Sequence, residues 1–254
     1  VINLAHASTV SLFRSDFARS GKIGITLNLA PTYPHTDADE DAARIADGHI
    51  NRWYLYPVFR GNFPEDMIER YASLGWAPDI QEGDMEAISA QSVDFLGVNY
   101  YMRQLVVRSA HAPLEYETII PYGARITEMG WEVYPQGLYD LLIRLDADYD
   151  VSEFLVTENG IACPDDRIVD GVVQDDDRIA FFHDHLYQAW RAIQDGVNLS
   201  GYYHWSLIDN FEWAYGMSKR FGIVYVDYKT LERTVKKSGF WYRDVAARGG
   251  LEER

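Results

Sequence analysis

Phe154-Leu155-Val156-Thr157-Glu158-Asn159-Gly160 is the stretch from which the fold of this chain can be read. Four residues of strand-forming character run straight into a carboxylate. Asn159-Gly160 is then expected to turn the backbone away, because both residue types tolerate positive φ. A carboxylate at the C-terminal tip of a strand is where a parallel α/β barrel keeps its chemistry. A Glu that merely caps the next turn would look the same, so the surrounding sequence has to decide.

Working outward, three further segments have strand character, giving strands near 22–29, 92–99, 153–158 and 199–206. Between and around them lie helical patterns. Residues 1–20 place Val10, Phe13 and Phe17 on one face, and Gly21 stops them. Ala42, Ala46, Ile50 and Trp53 mark a second helix, and Glu65 to Tyr71 a short third. Pro135 opens a helix through about Leu145, as a first-turn proline does. Residues 176–195 carry a stripe of Ile179, Phe182, Leu186, Trp190 and Ile193. A last helix runs from about Val235 to Ala247. The segments with Pro31 and Pro34, from Pro57 to Pro64, and from Asp165 to Gln174 read as loops. Residues 102–134 read as irregular, with a β excursion at Leu105-Val106-Val107, and Phe221 to Tyr228 as hairpin-like.

Strands alternating with helices predict βαβ units and a parallel sheet. A complete eight-stranded barrel takes about 250 residues, so the length of 254 alone would predict a whole one. Only four core strands are found. The expectation is one region, residues 1–254, forming half of a larger barrel.

The net charge of −16 disfavours a nucleic-acid partner and an anionic membrane surface, since no basic field gathers phosphates. A neutral substrate is the natural expectation. Fourteen percent of the residues are aromatic, which suits a flat-ligand or sugar site, although most rings must be core. Cys163 is the one cysteine, so no internal disulfide framework or cysteine-rich metal site is expected, and a reducing, cytoplasmic location fits. No run approaches about 18 apolar residues. The start, Val1-Ile2-Asn3-Leu4, has neither an initiator Met nor a signal-peptide pattern, and reads as if the chain begins partway through something.

All four strands end in polar or aromatic groups: Asn28, then Asn99 with Tyr101, then Glu158, then Trp205. Four such groups at one end of a sheet predict the rim of a site. Downstream lies Trp205-Ser206-Leu207-Ile208-Asp209-Asn210-Phe211-Glu212-Trp213. Sugars stack C–H faces on rings such as Trp205 and Trp213, and donate hydroxyl protons to carboxylates such as Glu212. A loop Glu between packed tryptophans is the plainer alternative.

Thr157-Glu158-Asn159-Gly160 and the Trp205–Trp213 stretch resemble the signatures of glycoside hydrolase family 1, the β-glucosidase family. The similarity runs from Gly21 to about Tyr242. It includes Asp94-Phe95-Leu96-Gly97-Val98-Asn99-Tyr100-Tyr101, Gly130-Trp131-Glu132-Val133-Tyr134-Pro135-Gln136-Gly137-Leu138 and Arg220-Phe221-Gly222-Ile223. The resemblance implies an α/β fold, the C-terminal half (strands five to eight) of a (β/α)8 TIM barrel. It implies a retaining β-glycosidase without a cofactor, acting on a β-glucoside or oligosaccharide. Glu158 would be the catalytic nucleophile, with Asn99 and Tyr101 holding it and contacting the sugar. Trp205 would be the stacking platform, Glu212 and Trp213 would bind distal hydroxyls, Phe221 would line the glycone pocket, and Trp131 would lie nearer the leaving group. The family also implies a cis Trp205–Ser206 peptide. Its phospho-glycoside branch typically has Ser where this chain has Glu212, and Tyr where it has Phe221, which favours a non-phosphorylated substrate.

The sequence departs from the family at one essential place. Retention needs two carboxyls about 5–5.5 Å apart. The family's acid/base Glu sits in an Asn-Glu-Pro motif, and this chain has none. The expected partner is therefore a complementary N-terminal half-barrel or a second copy of the chain. The alternative is a non-catalytic half-barrel that binds sugar or only complements a separate N-terminal half. Other motifs promise less. His183 and His185 face different ways on their helix, so no metal pair is expected. Asp175-Asp176-Asp177 is explained by the helix dipole.

Overall fold

The computed structural model describes residues 1–17 and 21–252. The chain runs through α1 (Ile2–Phe17), β1 (Gly24–Asn28), β2 (Thr32–Pro34), α2 (Glu40–Asp47), α3 (Trp53–Arg60), α4 (Glu65–Ser73) and α5 (Asp84–Ser89). It continues through β3 (Phe95–Asn99), β4 (Gln104–Arg108), β5 (Tyr116–Ile119), α6 (Gln136–Asp148), β6 (Phe154–Glu158), β7 (Ile168–Val169) and β8 (Val172–Val173). The last elements are α7 (Asp176–Gln194), β9 (Leu199–Tyr202), β10 (Val224–Val226), β11 (Arg233–Val235) and α8 (Lys237–Arg248). The end of the expected first helix, residues 18–20, lies outside the described residues.

Four strands form a parallel sheet in the order β1-β3-β6-β9, so β1 and β9 are its outer strands. Side chains alternate across it. One face carries Leu96, Val98, Phe154 and Val156, buried against Leu138, Leu141 and Leu142 of α6, with Leu55 of α3 and Ala189 and Ala192 of α7 in the same cluster. Each such aliphatic or phenyl group contributes about 1.5–3 kcal/mol by leaving water. The opposite face is built from smaller and more polar groups. A Cβ on Gly97 would lie 2.4 Å from Thr26 Oγ1 and 2.9 Å from Thr157 Cγ2, so the two threonines close over a position that only glycine fits. Thr26 and Asn28 are exposed on this face, and Asn99 and Thr157 half-buried.

Several segments differ from what local sequence predicts, each for a tertiary reason. Pro31–Pro34 contains β2, which pairs in parallel with β4, while β5 pairs antiparallel on β4's other side. Pro34 is tolerated because β2 is an edge strand of this small sheet. Residues 102–134, expected to be mostly irregular, thus hold two strands. Pro57 does not open a loop. It lies inside α3, which follows a π-helical turn at Gly48–Arg52 and keeps Leu55 and Val58 buried. The helix stops at Gly61, whose φ is 71°. The acidic loop holds the small β7–β8 hairpin.

The buried line of α7 shares only Phe182 with the expected stripe. Arg178, Phe181, Phe182, His185, Ala189 and Ala192 face inward. Trp190 and Ile193 are 51% and 43% exposed, and Trp190 stacks instead on Tyr187. Two alanines let the helix approach the sheet, a signal that counting large apolar residues overlooks.

Candidate active site

The sheet register brings the strand-end residues into one row, with Asn28 opposite Asn99 and Asn99 opposite Glu158. Between Val98 and Asn99 the register slips past Thr157. Irregularities of this kind re-aim side chains at the ends of sheets. Here Thr157 Oγ1 donates to Asn99 Oδ1 at 2.7 Å, and Glu158 occupies the place opposite Asn99. Beyond the strands the backbone keeps the alignment: Tyr100 N donates to Glu158 O at 2.9 Å, and Trp205 N to Asn159 O at 2.8 Å.

Asn159 and Gly160 serve packing rather than positive φ. Neither is among the positive-φ residues. Asn159 is buried, donates to Tyr100 O at 2.7 Å and accepts from the Tyr202 hydroxyl, tying three strands together. A Cβ on Gly160 would fall 1.8 Å from Trp205 O, so glycine is what lets β6 and the Trp205 segment meet.

Glu158 Oε2 accepts a hydrogen bond from the Tyr101 hydroxyl at 2.5 Å. Burial, and then this bond to a carboxylate, push the Tyr101 phenol far above its ordinary pKa, so it remains a donor. Glu212 is buried, and burial raises its carboxyl; the facing Trp205 indole lowers it, and the Glu158 charge raises it again, with a net rise. Three rings form one wall: Tyr101 lies 5.3 Å from Trp131 and 6.4 Å from Phe221, and Trp131 lies 6.2 Å from Phe221. Trp205 is half-buried, and its peptide bond to Ser206 is cis.

The structure therefore gathers Asn99, Tyr101, Trp131, Glu158, Trp205, Glu212 and Phe221. Trp213 stands apart: it is 80% exposed, in a short turn with φ of 41°. Sequence reasoning missed what lies under the Trp205–Phe221 segment. Asp165, Asp175, Arg178, Asp209 and Lys236 form a buried ionic cluster that Arg220 joins from a half-buried position. Asp209 was already visible inside the Trp205–Trp213 motif. Asp175, read as a helix-dipole partner, is fully enclosed and pairs with Arg178.

Parallel strands that gather a carboxylate, its tyrosine donor and a wall of rings at their C-terminal ends are the arrangement of α/β barrel enzymes. The chain belongs to glycosyl hydrolase family 1, whose family model matches residues 1–251. It is 43% identical over 255 aligned positions to β-glucosidase A of Acetivibrio thermocellus, covering 98% of this chain and 56% of that protein. It is 39% identical to the 6-phospho-β-glucosidase GmuD of Bacillus subtilis, covering 98% and 57%. Its structure resembles the family 1 β-glucosidase of Thermotoga maritima with a TM-score of 0.92 at 42% identity, over 98% of this chain and 56% of that one. The same Thermotoga enzyme is known in complex with castanospermine, matched with a TM-score of 0.91. The chain spans about half the length of the curated relatives it matches. Among the described residues no helix is long and apolar enough to cross a membrane.

Proposed function

We propose that this chain is the nucleophile-bearing, C-terminal half of a retaining β-glucosidase barrel, strands five to eight, acting on non-phosphorylated β-glucosides. The observation that carries the reading is Glu158 at the C-terminal end of β6, opposite Asn99 and bonded by Tyr101. A Glu158 oxygen attacks the anomeric carbon as the bond to the aglycone oxygen breaks. A second carboxyl, about 5–5.5 Å away, gives that oxygen its proton. The same group then takes a proton from water, whose oxygen displaces Glu158 from the sugar and regenerates the carboxylate. Trp205 offers a ring face to the glycone, Glu212 accepts from its distal hydroxyls, and the Trp213 indole N–H donates to them. Phe221 lines the pocket, and Trp131 lies toward the leaving group.

The acid/base carboxyl is assigned to a surface outside these 254 residues, contributed by a complementary N-terminal half. The outer strands β1 and β9 present the backbone edges such a partner would meet. Self-association through the same edges would cover them without supplying the second carboxyl. The buried, free Cys163 accords with a reducing, cytoplasmic setting. A chromogenic β-glucoside assay of the chain alone and with an added N-terminal half, with sedimentation of both samples, tests the proposal. Activity appearing only in the mixture, together with a heterodimer, is the expected result. Ordinary turnover by a monodisperse monomer would refute the half-barrel reading.

A further inference from the structure

We infer that Asp209 and Lys236 are positioning residues, closing a largely buried ring of ion pairs and hydrogen bonds that sets the loop carrying Trp205, Glu212 and Phe221. The functional meaning of that loop rests on the proposal above; the ring itself does not.

Asp209 lies between Trp205 and Glu212, and its side chain is inaccessible to solvent. Oδ1 accepts from Lys236 Nζ at 2.8 Å and from Gly222 N at 3.0 Å. Oδ2 accepts from Arg220 Nη1 at 2.6 Å and from Val226 N at 3.3 Å. A carboxylate has about four acceptor sites, and all of them are in use. Gly222 directly follows Phe221, and a Cβ on it would fall 2.2 Å from Asp209 N. Ser206 N donates to Phe221 O at 3.2 Å, and Ile223 N to Ser206 O at 3.1 Å. The two ends of the loop are thus laced together around one carboxylate.

The ring then closes through α7 and α8. Lys236, fully buried at the start of α8, also donates to Asp165. Asp165 faces Arg178 at 3.5 Å, and Arg178 Nη2 donates to Arg220 O at 2.8 Å. Arg220 returns to Asp209. Asp175, paired with Arg178, accepts from Ser238 N at 2.9 Å and so fixes the chain two residues past Lys236. Three carboxylates face three cations, so the cluster is electrically balanced. Desolvation opposes pairing in such a cluster, and well-packed apolar groups would often stabilise the fold as well. What the ions provide is direction, because each charge-assisted bond fixes an angle as well as a distance. The segment on which those directions converge carries four of the proposed sugar contacts, Trp205, Glu212, Trp213 and Phe221.

The test is spectroscopic and uses the whole ¹⁵N-labelled chain. Its seven tryptophans give separate indole N–H signals, and Trp205→Phe assigns that of Trp205. Two variants are compared: Lys236→Met, and Asp209→Asn/Lys236→Gln, which stays charge-balanced but turns one of the two acceptor oxygens at position 209 into a donor. The expected result is a shifted Trp205 signal whose solvent exchange quickens at least about tenfold, while Trp53 and Trp76 are unmoved. Lys236→Arg should recover part of the change. If Lys236→Met does not fold, the balanced double variant decides. An unmoved Trp205 signal in a folded variant overturns the inference. So does collapse of all seven signals in both variants, which would mean a role in folding alone. Absence of hydrolysis in every preparation would sink the glycosidase reading and leave this measurement able to decide.

Discussion

The Tyr101 hydroxyl donates to Glu158 Oε2 at 2.5 Å, joining the segment after β3 to the tip of β6. A neutral donor on one carboxylate oxygen holds the rotamer that the proposed nucleophile needs. A hydrogen bond to a charged group is worth about 1.5–3 kcal/mol, or roughly 10–150-fold in rate. In the enzyme assembled with its complement, Tyr101→Phe is expected to lower kcat within that range. Glu158→Gln should lower it on the order of 10⁴-fold or more, as loss of a covalent step does. Both should leave the melting temperature near that of the parent. Near-parental turnover by Glu158→Gln would remove Glu158 from its role.

Glu212 couples binding to stability with opposite signs. Burial, opposed by Trp205 and reinforced by Glu158, raises its carboxyl pKa. A raised carboxyl favours the fold while protonated, and that contribution is lost as pH rises through the folded pKa. Ionised Glu212 therefore burdens the fold near neutrality. Glu212→Gln is expected to raise Tm slightly while weakening inhibition by a sugar analogue that carries no ionisable group. With Glu212 intact, that inhibition should weaken on acidification at a higher pH than an ordinary Glu predicts. A 6-phosphoglucoside, repelled by the carboxylate, should show lower kcat/KM than the free glucoside. The reverse order would overturn the substrate assignment.

Asp47 predicts how the fold meets acid. It ends α2 and accepts from Arg144 Nη1 and Nη2, at 2.6 and 2.8 Å, and from Arg52 Nε at 3.0 Å. Burial pushes its carboxyl up, but the Arg144 bond and charge, with Asn51 and Arg52, outweigh burial and hold it below the usual range. Stability from such a group is present above the unfolded pKa, about 3.9, and is lost as pH falls through the folded value. Asp47→Asn should destabilise at pH 7 on the order of 3 kcal/mol, at the low end for a buried pair, because Arg144 is 33% exposed. Urea unfolding should show the gap narrowing at acid pH. A constant gap would show that charge is not its source.

Cys163 is predicted to be chemically silent in the folded chain. It is 5% exposed, and burial pushes its thiol up to about 11. Iodoacetamide at pH 8 should label it only after denaturation, as mass spectrometry would register. Rapid labelling of the native chain would mean that the region around Cys163 opens.

The strands and the strand-end groups were legible in the sequence because each depends on local pattern. Val156, Thr157 and Glu158 announce a strand and its carboxylate within three positions, and the alternation of strands and helices sets the parallel order. The buried line of α7 was not legible, since whether Ala189 or Trp190 faces inward depends on how closely the sheet can be approached. Pro57 inside α3 was hidden for a similar reason: the π-helical turn before it alters the local geometry, and burial of Leu55 and Val58 favours continuing the helix.

The amino-acid order, through period, turn chemistry and motif, is enough to reach the parallel sheet, the site-bearing strand ends and the family. Tertiary structure alone decided which of the motif's residues meet. It placed Trp213 in water and Phe221 in the ring wall, though both sit in family motifs. It converted Asp165, Asp175, Arg178, Asp209, Arg220 and Lys236, spread from residue 165 to residue 236, into one cluster. Periodicity reports which side of an element is apolar. It carries no record of which distant charge an enclosed carboxylate will face, because that is fixed only when packing excludes water and leaves each ion needing a partner.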